Sequence, residues 1–217
     1  MRNLCFVLVT LAAQAGAATL LFSDLGTGGS VYDGSTGSQV SGSGSGAWIT
    51  QARSFTVSGS GDFLLTQFDL GVFNYAPAPA TFSASVWTSS ADRPSVELGS
   101  WDLSTTEPFG SCCALVTQSG ITGITLTGGV QYWMVLGPQG PTDSSRNAWA
   151  DNTQGVNGQR LGSLDGGATW IDDGTGTDLA FDVLGDPVNS APEPSSMLLL
   201  GAALTGMFTV RRRPSRR

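Results

Sequence analysis

The 217-residue chain is only 12% charged, carries 17 acidic against 10 basic residues, and has a formal net charge of −7 with no histidine. It contains no lysine either. Ser-His-Asp and Cys-His nucleophile arrangements, a lysine Schiff base and a histidine metal site are therefore excluded.

At the amino end, Arg2, the apolar stretch Leu4–Ala13 and the small residues Ala15-Gly16-Ala17 form the three regions of a secretory signal peptide. Cleavage after Ala17 or Ala18 assigns residues 1–18 to the signal, and Cys5 leaves with it. The remaining body is long enough for one domain with a sizeable core, expected over residues 19–186. Four arginines face 16 carboxylates in that body. Such an acidic surface repels nucleic acid and anionic headgroups, so neither is an expected partner.

Residues Gly34–Gly46 are nearly all Gly and Ser, a flexible-loop composition. Beyond them, short runs alternate with period two. Phe68, Leu70 and Val72 share a face opposite Gln67 and Asp69; Phe82, Ala84 and Val86 share another. Val130, Tyr132, Met134 and Leu136 do the same, as do Leu179, Phe181 and Val183. Repeated period-two runs read as half-buried antiparallel strands. Asp33-Gly34, Asn157-Gly158, Asp165-Gly166 and Asp173-Gly174 supply turn chemistry between them. No body segment holds a 3.6-residue period over ten residues. The predicted fold is all-β, an antiparallel β-sandwich or jelly roll.

Cys112 and Cys113 are adjacent, which leaves a vicinal disulfide, two free thiols or intermolecular bridges as options. The six tryptophans, Trp48, Trp87, Trp101, Trp133, Trp149 and Trp170, all lie in the body. Trp87 and Trp133 fall opposite the better apolar face of their strands, so they are the candidates for exposed, sugar-stacking rings. Asp172, Asp173 and Asp178 bracket a Gly-rich segment with hard oxygen ligands, the chemistry calcium takes. The spacing lacks the Gly and Glu of the twelve-residue calcium loop, so a hairpin turn with solvated acids is the better reading. No cofactor is expected. No spacing singles out one carboxylate pair for glycoside hydrolysis.

Residues 187–191 read as a spacer. Pro192-Glu193-Pro194 then opens the tail, and the prolines hold it extended. The apolar run Met197–Val210 would reach about 21 Å as a helix, short of the roughly 30 Å hydrocarbon core. Arg211, Arg212, Arg213, Arg216 and Arg217 close the chain and favour the cytoplasmic side. The order Pro-Glu-Pro, short hydrophobic helix, arginine cluster over residues 192–217 resembles the PEP-CTERM sorting signal of Gram-negative bacteria. The resemblance implies recognition by an exosortase-type membrane transpeptidase, removal near Pro-Glu-Pro, and only transient membrane contact. It also implies export to the cell envelope, outer surface or extracellular matrix, where such proteins associate with exopolysaccharide and biofilm.

Ser54-Phe55-Thr56-Val57, Leu64–Phe73, Phe82–Trp87, Tyr132-Trp133 and Trp149 resemble the choice-of-anchor R type of exported domain. That resemblance implies a β-sandwich and no activity. The functional expectation is a non-enzymatic structural or adhesive surface protein. The alternative is a carbohydrate-binding module for exopolysaccharide, and a third reading is a carboxylate-dependent glycoside hydrolase.

Overall fold

The computed structural model describes residues 18–75 and 78–188. Residues 1–17 of the expected signal peptide, residues 189–191 of the spacer, Pro192-Glu193-Pro194, the expected hydrophobic helix and the arginine cluster lie outside the described residues. In chain order the strands are β1 (Thr19–Ser23), β2 (Asp33–Ser41), β3 (Thr50–Thr56), β4 (Asp62–Leu70) and β5 (Val72–Asn74). Next come β6 (Thr81–Ser90), β7 (Arg93–Ser104), β8 (Val116–Ser119), β9 (Thr125–Thr127) and β10 (Gln131–Gly137). The last four are β11 (Arg146–Asp151), β12 (Asn157–Ser163), β13 (Ile171–Thr177) and β14 (Phe181–Pro187).

All the strand pairings are antiparallel and fall into three sheets. One sheet runs β1-β14-β4-β8, with β9 also paired to β4; a second runs β13-β12-β3-β10-β6-β7. Their inner faces meet in one core. Phe68, Leu70 and Val72 enter it, with Phe82, Ala84 and Val86, Tyr132, Met134 and Leu136, and Leu179, Phe181 and Val183. The period-two reading thus places these residues correctly. Burying each large apolar side chain contributes about 1.5–3 kcal/mol, so this interdigitated set is the main source of stability. Val130 departs from its predicted face: it precedes β10 and is 43% exposed.

The third sheet, β2-β11-β5, closes one end of the sandwich. Here the predicted flexible loop is corrected. Residues Asp33–Ser41 form β2, and Ser43–Ser45 make a single 3-10 turn. A Cβ on Gly37 would stand 2.2 Å from the Trp149 carbonyl oxygen, and one on Gly42 would stand 2.2 Å from that of Asp143. The glycines are there for close backbone approach. Two predicted turns are corrected for the same reason. Gly34 and Gly158 lie inside β2 and β12, where a Cβ would meet Ser111 O at 1.9 Å and Asp178 Oδ2 at 2.3 Å. Asp165-Gly166 is a turn as expected, with Gly166 at φ +74°. Gly174, at φ +81°, sits at a bulge within the β12–β13 ladder.

β14 stays paired to β4 as far as Pro187, opposite Phe63, and the Val188 N–H donates to Asp62 O at 2.9 Å. Thr19 lies beside Gly185 in β14. The described chain therefore enters and leaves at one pole of the sandwich. The β2-β11-β5 sheet occupies the other.

Candidate functional site

The outer face of the six-stranded sheet holds a second apolar cluster of Ala52, Trp133, Val135 and Leu161, with Trp87 and Trp170 packed against it. Trp133 is wholly buried, which corrects the expectation of an exposed ring. Its strand, β10, is central, and its outward side chains are covered as well as its inward ones. The Trp133 Nε1–H donates to Ser89 Oγ at 3.1 Å. Trp87 is only partly buried, and its Nε1–H is fixed on Ser85 Oγ at 2.7 Å.

Trp170 belongs to the same face and was missed in the sequence, where no strand pattern contains it. It follows the Gly166-Gly167 turn, whose glycines approach Trp48 and Trp170. Asp165 pins that turn, accepting bonds from Ser163 Oγ at 2.7 Å and Thr169 Oγ1 at 2.6 Å. The Arg93 guanidinium donates to the Trp170 carbonyl, tying the β6–β7 hairpin over the same loop. The face thus offers two half-open indoles, Trp87 and Trp170, over a buried third.

Carboxylates form two other neighbourhoods. At one, Arg53 is fully buried and sits 3.6 Å from Asp178 Oδ1. It donates to Ala52 O at 2.7 Å and Ser38 Oγ at 3.1 Å, and Arg160 reaches the same Ser38 Oγ at 2.9 Å. Burial first, and then the adjacent Arg160, lower Arg53 to about 10 against the pull of Asp178. Burial raises Asp178 to about 6 against the pull of Arg53.

The other neighbourhood spans β14 and β4, where Asp182 and Asp69 face each other in the ladder. Burial, then repulsion from Asp69, raises Asp182 to about 7. Asp69 accepts from the Thr117 hydroxyl and, at 2.7 Å, from Gln67 Nε2. Nearby Asp24, 2% exposed, accepts the Phe181 N–H at 2.7 Å, and burial raises it to about 8.

The calcium candidates do not gather. Asp172 and Asp173 are exposed on β13, and Asp172 Oδ1 accepts the Gly174 N–H at 2.8 Å. Asp178 instead turns inward to Arg53. Six residues of extended chain separate Asp172 from Asp178, roughly 20 Å at about 3.3 Å per residue. Among the described residues no group of three acidic or sulfur ligands is placed to hold a metal ion.

A cleft of about 490 Å³ opens where the edges of β7 and β8 meet, lined by Asp102, Ser104, Thr106, Thr117, Gln139 and Leu115 among others. It has no aromatic wall. Cys112 and Cys113 are bonded to each other, and Cys112 Sγ lies 3.1 Å from Tyr32 O. Among the described residues no helix is long and apolar enough to cross a membrane.

The decisive functional feature lies in the tail. Residues 190–213 match the PEP-CTERM protein-sorting motif. The chain carries a PEP-CTERM sorting motif. It contains Pro192, Glu193 and Pro194 and the basic residues Arg211, Arg212 and Arg213; Arg216 and Arg217 follow it. The PEP-CTERM motif marks the protein for export, for processing by an exosortase, and for sorting to the cell envelope of a Gram-negative bacterium. No curated protein matches the chain.

Proposed function

We propose that the processed protein is a non-enzymatic structural or adhesive component of the cell surface, acting in an exopolysaccharide or biofilm setting. The PEP-CTERM motif behind a closely packed β-sandwich carries this reading. A body without His or Lys supports the non-enzymatic part, as does Asp69, whose two oxygens are each engaged by a neighbour. Mass spectrometry of the C-terminus from exporting cells tests the sorting step. A terminus near Pro192 is expected, and a chain still ending at Arg217 would sink it.

A second reading, a module that binds the cell's own exopolysaccharide, is favoured by the half-open Trp87 and Trp170 rings. The Ser85 and Ser89 hydroxyls fix the indoles of Trp87 and Trp133 in place, so the open Trp87 ring is held ready for stacking. In pull-downs with the native polysaccharide, Trp87→Ala should weaken retention. Unchanged retention would move the contact elsewhere on the body.

A further inference from the structure

We infer that Phe109, backed by Tyr75, forms a saccharide-stacking platform at the pole opposite the end of β14, taking the ring of a neutral glycan on its exposed face. This rests on the carbohydrate-binding reading and adds a second contact to it.

Among the described residues Phe109 is the one aromatic side chain in the exposed class, at 53%. An aromatic ring left in water this way is normally mobile, but this one is braced. It stacks on Tyr75 with centroids 5.3 Å apart and planes 26° apart. Fully buried Phe73 meets both rings edge-on, at 5.7 Å from Phe109 and 5.6 Å from Tyr75. The Arg146 guanidinium lies 5.0 Å from the Tyr75 centroid.

The backbone is fixed as well. The Phe109 N–H donates to Asn74 O at 3.0 Å, the Asn74 N–H to Glu107 O at 2.8 Å, and the Tyr75 N–H to Arg146 O at 3.0 Å. A flat apolar surface whose ordering cost is met within the fold is suited to stack on the C–H face of a pyranose. Arg146 has no ion-pair partner among the described residues, so its N–H groups can donate to sugar hydroxyls.

Position and charge narrow the ligand. β4 begins at the pole where the tail leaves, and β5 follows it toward Asn74 and the platform. The platform therefore lies at the pole away from Val188, the last described residue. Sixteen body carboxylates against four arginines disfavour a polyanion, which leaves a neutral polymer as the fitting class.

The test uses the mature protein from an exporting host, titrated with cellotetraose and, in parallel, with tetragalacturonate. Cellotetraose should perturb the amide resonances of Tyr75, Phe109 and Arg146. Phe109→Ala should weaken binding about fivefold or more while Phe109→Trp retains it. The melting temperature should hold in Phe109→Ala, because the lost ring is exposed. Binding that survives Phe109→Ala and is lost in Trp87→Ala would overturn the platform and leave the carbohydrate reading standing. Absence of binding by the unaltered protein to either sugar would overturn both. Preference for tetragalacturonate would overturn the neutral class. Should Phe109→Ala fail to fold, resonance changes in the unaltered protein confined to other faces would overturn the site.

Discussion

Asp178 and Asp24 are both buried acids at the same end of the sandwich, yet the fold treats them differently. Asp178 has Arg53 at 3.6 Å, and Arg160 also lowers it. No arginine figures in the Asp24 environment: its charge meets the Phe181 N–H and repulsion from Asp178 and Asp182. One region keeps charge inside by pairing it. The other holds a carboxyl inside by keeping it protonated. Desolvation opposes the charged form in both places, and only a nearby cation offsets it.

The largest effect is expected from Arg53→Met, which strands Asp178 without its cation. A loss of about 3–5 kcal/mol in chemical denaturation is predicted. The double replacement Arg53→Met with Asp178→Leu should recover most of that loss, since an apolar pair needs no compensation. If the double variant is as unstable as the single, the pairing account is wrong and packing or Ser38 dominates.

Next in size is the pH dependence. Asp24, Asp182 and Asp178 are raised from 3.8 to about 8, 7 and 6. The folded state therefore holds protons that the unfolded chain has already released. The stability these groups allow is fully present below about pH 4 and is lost as pH rises through the folded values. Thermal melting should thus fall between pH 5 and pH 8.5. Equal melting at the two values would contradict protonated burial.

Asp24→Asn should remove the largest single share of that slope and gain stability at pH 8.5, because the amide oxygen can still accept the Phe181 N–H. Asp182→Asn should do the same on a smaller scale, as Asp182 is less buried and less raised. An Asp182→Asn change larger than that of Asp24→Asn would reverse the ranking.

The strand faces were legible because period two survives wherever one face meets the core. Phe82, Ala84 and Val86 are an instance. Trp133 was not legible, because a central strand with a covered outer face hides both of its sides. Residues 34–46 misled for a different reason. Gly and Ser suit a mobile loop and also a strand pressed against another backbone, and composition does not separate the two. Gly37 against Trp149 decides it. Phe109 stands outside every period-two run, between Pro108 and Gly110, so only its exposure and its stacking on Tyr75 mark it.

The sequence by itself determined the address and the all-β class. Both are written in local order: Pro-Glu-Pro, an apolar run and arginines along the chain, and alternation along each strand. The tertiary structure alone decided which carboxyls lose water, which indoles stay open and which aromatic ring is held out at the far pole. Those depend on what packs across from a residue, a relation between segments distant in the chain. Arg53 and Asp178 show the point, for only the folded sheets bring their opposite charges together.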